Sequence, residues 1–592
     1  MEKAKQGIRL CPDGHYEMPL LLKNAEVVLP NNRELALRRL IPLKKRFSSC
    51  RSYQDQYTAF MDSMFKNGYA EKVSMPDPAD SSKINSRVWY IPHHGVFHPK
   101  KPSKIWVVFD CSAVFKEESL NKHLLQGPDL TNNLCGVLCR FCLESVAFMC
   151  DIEAMFYQVR VTEDCRDMLR FLWWENGDTS RQPQEYRMTV HLFGAASSPA
   201  CSNYALKTTA DDNENELGPA PAEFLRKDFY VDDGLKSVPS VGEAIDLIKG
   251  VKEMCKRGGF NLHKFTSNKK EVIAGVPVED RAEEIKLLDL SHDKLPMERA
   301  LGVQWCVESD CFRFRITLSD RPCTRRGILS AVSSIYDPLG FLAPFLLEGK
   351  KIIQELCQEK ADWDDPVPDH MRHRWDNWKA ELAHLEEFPI ARCYNPEGFG
   401  NVVSVQLHHF SDASVKGYGQ CSYLRFQNDM GKVHCAFVFG KARVTPLKPI
   451  TIVKLELATA VVSVRVSEQL RRELSLGQIE ETFWTDSQVV LGYIANESRK
   501  FHIFVANRVQ EIQEKTSVNQ WRYVDTKANP PDEAPRVFMQ ETSKSQNGSR
   551  GPHSYGRRSL SGPNVELMKT FHCQVTTRRL RRHPLALQAQ KK

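Results

Sequence analysis

The stretch FYVDDGL at residues 229–235 sets two aspartates side by side between β-prone residues, at what reads as a hairpin tip turning on Asp233-Gly234. A turn alone accounts for Asp-Gly. Adjacent like charges repel, however, and a fold gains from them mainly when a cation such as a divalent metal sits between or beside them. One hairpin tip cannot fix two hard cations with oxygen ligands, so a further carboxylate should end a neighbouring strand. FMCDIEAMFYQV offers Asp151 after an apolar run, with Phe156 five residues on. By itself, Asp151 reads equally well as a helix N-cap.

The chain's 592 residues are enough for three or four domains with large cores. Its apolar runs fall short of the ~18–20 residues of a membrane span, and MEKAKQGIRL has no apolar signal core. The expectation is an intracellular chain of cytoplasm or nucleus with no membrane partner. Its 18 cysteines lie among apolar neighbours and read as buried thiols. Net charge is +7, but residues 537–592 hold 11 basic and 2 acidic residues, leaving the body near neutral. Any nucleic-acid binding by the body must therefore use a local basic groove and bound cations.

Along the chain, residues 1–84 read as a polar lead-in with a helix at about 50–68. In 85–275, strand-like runs (IWVVFD, AFMCDI, EYRMTV, FYV) alternate with helical stretches at 198–210 and 241–257. Residues 276–395 turn mainly helical after the strands ALGVQWCV and CFRFRITL. In 396–536, three strands precede a helix at about 453–472 and a strand in ETFWTDS, and 537–592 reads as a basic, disordered tail.

The carboxylate strand, the segment HLFGAASSP and the aromatic-Val-Asp-Asp hairpin stand in the order seen in reverse transcriptases. With WYIPHHGVFHPKKPSK, VVFDCSA, LNKHLLQGPDLTNNL and SSIYDPLGFLAP, the chain resembles the reverse transcriptase and RNase H portion of a BEL/Pao-type LTR retrotransposon polyprotein over about 10–536. The resemblance implies an α+β fold: a right-hand-like polymerase of fingers, palm and thumb, followed by an α/β RNase H-like domain. It implies that Asp151, Asp232 and Asp233 are the polymerase carboxylates, with the Ile152 carbonyl as a further ligand. Two Mg²⁺ (or Mn²⁺) ions ~3.5–4 Å apart would act there. Phe156 resembles the gate that excludes a 2′-hydroxyl, and Phe193 and Gly194 resemble the floor of the nucleotide site. LGVQW (301–305) resembles the primer grip. The implied partners are an RNA template, an RNA/DNA hybrid and dNTPs. One position departs from the pattern. The family reads KIRVVFDC where this chain has SKIWVVFD, so Trp106 replaces an arginine expected on the triphosphate, with Lys104 nearby.

A second carboxylate set follows. Asp412 in HHFSDAS, Glu456 in VKLELATAVV, Asp486 in ETFWTDS and Asp532 in NPPD stand in the strand, helix, strand and final-helix order of retroelement RNase H sites. Singly, Asp412 and Asp486 read as N-caps, Glu456 as a solvated face and Asp532 as a turn acid. The family reads NPAD followed by Ala-Ser-Arg, whereas Pro535 here removes a backbone donor. Cys135, Cys139, Cys142 and Cys150 lack a second zinc half-site, and His93, His94 and His98 read as a loop near the fingers. No Asp-Thr-Gly or Asp-Ser-Gly of an aspartic protease is present. The expected function is RNA-directed DNA synthesis with cleavage of hybrid RNA; the alternative is a catalytically weakened relic that binds nucleic acid.

Overall fold

The computed structural model describes residues 2–73, 87–98, 101–316, 321–386, 389–474, 476–477, 479–496, 501–526 and 529–530, with backbone only at 3, 98, 101–104 and 383–384. Asp532, the Lys104 side chain and the tail at 537–592 lie outside the described residues.

The first carboxylate region is built on a four-stranded antiparallel sheet in the order Phe229–Tyr230, Asp233–Val238, Val146–Ile152, Leu262–Ser267. Alternation along Val146–Ile152 sends Phe148, Cys150 and Ile152 into a core with Leu206, Phe224 and Val251 from the helices Ser198–Leu217, Pro219–Lys227 and Val241–Arg257. The last helix starts where the Ser240 side chain accepts from the Glu243 N–H. It buries Ala244, Leu247, Ile248 and Val251 at helical spacing. The opposite face, with Ala147 and Leu235, packs on Leu134–Phe141. Asp151 and Asp233 belong to that second face by alternation.

The N-terminal residues pack into a core shared with later strands. Tyr16–Met18 pairs in parallel with Arg160–Val161, and Leu40, Phe47, Tyr57 and Met61 share one core with Trp89, Phe109, Phe171 and Trp173. Their two helices, Arg33–Ser49 and Arg51–Lys66, bury one stripe each, which a polar composition conceals. His93 closes this core, with Nδ1 on the Tyr57 hydroxyl and Nε2 on the Leu172 carbonyl. Burial pushes its pKa down to about 4, so it is a neutral core residue.

ALGVQWCV is not a single strand. Leu301 and Gly302, at φ +48° and +89°, form the turn of a hairpin joining Met297–Ala300 to Val303–Cys306. Beyond it, the helices Arg325–Ser334, Ala343–Gln358 and Asp369–Glu386 pack around Phe345, Trp375 and Trp378.

The second carboxylate region is a five-stranded sheet in the order Val433–Val444, Gly417–Asn428, Val402–Ala413, Glu480–Thr485, Trp521–Tyr523. The first three strands are antiparallel and the last two run parallel to Val402–Ala413. The helix Ile452–Leu474 buries Leu457, Ala460 and Val464. It also joins the two lobes: Arg140 donates to Asp228 at 2.6 Å and to Glu473 near that helix's end at 2.9 Å. A fully buried Arg392 ties Asp310 to the main-chain carbonyls of Phe141, Glu144 and Ser145. Removing one partner of such a buried network costs about 3–5 kcal/mol.

Candidate active sites

Asp233 lies directly opposite Asp151 in the antiparallel register, and His263 lies opposite Asp151 on its other side. Directly paired residues have Cβ atoms about 4.5–5.5 Å apart, so the three side chains form one row across three strands. Asp232 sits in the connection, its carbonyl accepting from the Ile152 N–H at 2.9 Å. Asp151 is therefore a strand residue and not an N-cap.

The turn differs from the one expected. Tyr230 pairs with Asp233, so the two-residue connection is Val231-Asp232, while Gly234 pairs with Phe229 inside the sheet. A Cβ on Gly234 would lie 2.7 Å from Phe229 Cζ and 3.0 Å from Cys150 Sγ, so close packing explains this glycine. Val231 takes φ +58°, a region that costs a β-branched residue about 1–3 kcal/mol and that clusters at functional sites.

The charges are unbalanced. Burial together with the charges of Asp232 and Asp151 pushes Asp233 up to about 7. Burial raises Asp232 as well. Burial opposes ionisation of Asp151 too, but hydrogen bonds from His263 Nε2 (2.7 Å) and Lys264 Nζ (2.9 Å) outweigh it and hold Asp151 below its ordinary value. Lys264 is itself at φ +55°, where the strand register shifts. Among the described residues no three His, Cys, Asp or Glu side chains are gathered as a ready metal-ligand set. Asp151 spends both oxygens on His263 and Lys264. Three oxygen-donor carboxylates with a surplus of negative charge fit a hard divalent cation once that engagement is exchanged.

Phe156 and Phe193 come together, with ring centroids 4.4 Å apart. Gly194, at φ +101°, brings its backbone so close to Phe109 that a Cβ would meet that carbonyl oxygen at 2.8 Å. Asn121 fixes this loop, donating to the Gly194 carbonyl and accepting from the Ala196 N–H. Trp106 faces outward, paired with Val96 and 55 % exposed.

At the second sheet, Asp412 lies near the end of its strand, and parallel pairing of Ser411 with Thr485 places Asp486 beside it. Burial and the Asp486 charge raise the pKa of Glu456, against a hydrogen bond with Ser487. Ser487, not Asp486, caps the next helix, accepting from the Val490 N–H. Asp486 Oδ2 accepts from the Thr526 hydroxyl at 2.8 Å, while Oδ1 is buried without a hydrogen-bond partner. A buried carboxylate oxygen without a hydrogen-bond partner, with the Glu456 carboxylate near enough to feel its charge, is the kind of donor a divalent cation takes. Asn529 is fully buried and donates to the Ser411 carbonyl, on the strand bearing Asp412.

Residues 324–487 match the family model of the Pao retrotransposon-like RNaseH-like domain. The matched segment bridges the helical region and the second sheet, so the Pao-type segment crosses the boundary expected at 395/396. No curated protein matches the chain. Among solved structures, the foamy viral protease-reverse transcriptase dRH in complex with double-stranded DNA is similar at 15% identity and TM-score 0.50, covering 78% of this chain and 68% of that chain. The foamy viral enzyme in complex with RNA/DNA hybrid matches at 15% identity and TM-score 0.48, covering 92% of this chain and 59% of that one. The fold is mixed α and β and resembles that of the foamy viral enzyme, with the RNaseH-like match confined to 324–487.

His263, Lys264, Asn121 and Thr526 carry no local sequence signal of a site. His263 and Lys264 become visible only through strand register.

Proposed function

We propose that the chain is an RNA-directed DNA polymerase joined to an RNase H, and that it works on an RNA template, dNTPs and the RNA/DNA hybrid. The observation that carries this reading is the pairing of two separate carboxylate constellations in chain order, each on register-adjacent strands of its own sheet. Asp151, Asp232 and Asp233 would hold one pair of Mg²⁺ or Mn²⁺ ions, and Asp412, Glu456 and Asp486, with Asp532, another. Such ions supply charge stabilisation to the attacking and leaving oxygens of phosphoryl transfer.

The chain's own residues do the rest. Phe156, braced by Phe193, presents bulk where a ribose 2′-hydroxyl would lie, and Gly194 lets the nucleotide approach the backbone. Lys264 and His263 hold Asp151 in register. At the second site, Thr526 and Ser487 orient Asp486 and Glu456. A cleft of about 310 Å³ between the Ile452–Leu474 and Ile503–Lys515 helices gathers Arg443, Arg465 and Arg508; Glu511 on the same wall pairs with Arg465, so Arg443 and Arg508 are the cations it offers a phosphate backbone. The test is extension of a DNA primer on an RNA template together with hybrid cleavage, both requiring added divalent metal. Absence of both from folded protein refutes the reading.

Trp106 supports the second reading, a weakened polymerase. An arginine contact to the triphosphate is worth about 1.5–3 kcal/mol, or roughly 10- to 150-fold. Because position 106 is exposed, Trp106→Arg costs no buried packing. The variant is expected to raise incorporation at limiting nucleotide by that factor and leave hybrid cleavage unchanged. Equal incorporation by variant and parent would clear Trp106 as the lesion.

Asp233 gives a pH signature in metal-free protein. Its folded pKa of about 7 lies above the ordinary carboxylate value of 3.8, so its contribution to stability is present at low pH and is lost as pH rises from about 4 through 7. Asp233→Asn removes this term. Its melting temperature relative to the parent should climb between pH 5 and 8, and a pH-independent difference would contradict the assigned environment.

A further inference from the structure

The motif SSIYDPLGFLAP is a built loop with one conspicuous side chain left outside. Asp337 accepts from the N–H groups of Gly340, Phe341 and Leu342 at 2.8–3.0 Å, which fixes the entry to the helix Ala343–Gln358. The Pro338 carbonyl accepts from Cys135 Sγ in the polymerase-like lobe, and the Leu339 carbonyl accepts from the Gly440 N–H in the second sheet. Gly340, at φ +81°, packs so closely on the Gly440 backbone that no Cβ fits. Ile335, Leu339 and Leu342 are buried, and Phe341 packs on Phe437 at 5.0 Å. Tyr336 alone among the large side chains is exposed, at 46 %.

Its position is defined on two sides. A Cβ on Gly302, in the turn of the Met297–Cys306 hairpin, would lie 2.9 Å from Tyr336 Cε1, so the ring rests on that turn. Leu301 of the same turn packs in one cluster with Leu339 and with Tyr230, the residue that enters the Val231-Asp232 turn. The exposed ring thus lies between the first carboxylate turn and the hairpin tip, on the loop that joins the two lobes.

We propose that Tyr336 is a positioning residue for the primer strand, its ring stacking on a sugar face of the duplex a few nucleotides behind the 3′ end. The inference rests on the polymerase reading above. A rigid loop spends three backbone donors, a glycine and two inter-lobe hydrogen bonds to hold one aromatic ring in solvent next to the reactive carboxylates. A ring packed on the C–H groups of a sugar reads no base and so tolerates any sequence, as a polymerase's product requires.

The experiment replaces Tyr336 in the full chain with photo-reactive p-benzoylphenylalanine and irradiates it on a DNA primer annealed to an RNA template, each strand separately labelled. Equilibrium binding of the same duplex without divalent metal is measured for Tyr336→Ala and Tyr336→Phe. The expected result is a cross-link to the primer near its 3′ end, duplex binding weakened about five- to tenfold by Tyr336→Ala, and near-parent binding by Tyr336→Phe. If the parent binds and extends the duplex but the chain with p-benzoylphenylalanine at 336 gives no cross-link to the primer, or if Tyr336→Ala binds as tightly as the parent, the inference alone is overturned. Primer cross-linking by a chain that fails to extend supports the placement of Tyr336 and overturns the polymerase reading instead.

Discussion

Asp232→Asn is expected to lower primer extension at least about a thousandfold while leaving hybrid cleavage at the parent rate. The substitution keeps the shape of a residue in a two-residue turn and removes the carboxylate whose charge acts on the paired Asp151 and Asp233 from the adjoining turn. Loss of a charge that steadies a metal-bound transition state amounts to about 4 kcal/mol, which is the thousandfold. A double reading of the same preparation, labelled primer lengthening and labelled RNA shortening, separates a lost site from a lost fold. Extension by the variant within tenfold of the parent would remove Asp232 from the chemistry.

The reciprocal result is expected at the second sheet. Asp486→Asn should abolish hybrid cleavage by a similar factor and spare primer extension, because the two carboxylate sets belong to different sheets. The Thr526 hydroxyl still finds an acceptor in the asparagine carbonyl, so the fold is expected to survive. The other amide position would then bring two N–H donors to the place of the orphaned Oδ1. Cleavage that persisted in Asp486→Asn would show that this carboxylate is structural.

Much of this arrangement is legible in the sequence, for identifiable reasons. Asp151, Asp412 and Asp486 each follow a short run of apolar and aromatic residues, which marks the strand that carries them. The turn at 229–235 is displaced by two residues because Asp-Gly is the usual hairpin signal, whereas Gly234 serves packing against Phe229 and Cys150. Leu301 at φ +48° is likewise invisible, since leucine carries no preference for the left-handed region. The N-terminal residues read as a lead-in because their strands are only two or three residues long and two of them pair far along the chain, Glu17 with Arg160 and Ala70 with Met188. His263 and Lys264 meet Asp151 across a strand register that a local pattern does not encode. Thr526 and Asn529 approach Asp486 and Ser411 from a segment whose own composition signals only a turn.

The central claim is that both carboxylate sets hold divalent cations, and anomalous scattering from crystals of the full chain soaked in Mn²⁺ tests it without reference to activity. The account predicts anomalous peaks among Asp151, Asp232 and Asp233, with Lys264 withdrawn from Asp151, and further peaks among Asp412, Glu456 and Asp486 at the orphaned oxygen. Fully soaked crystals with no manganese at either carboxylate set, or with manganese bound only elsewhere on the chain, would contradict it.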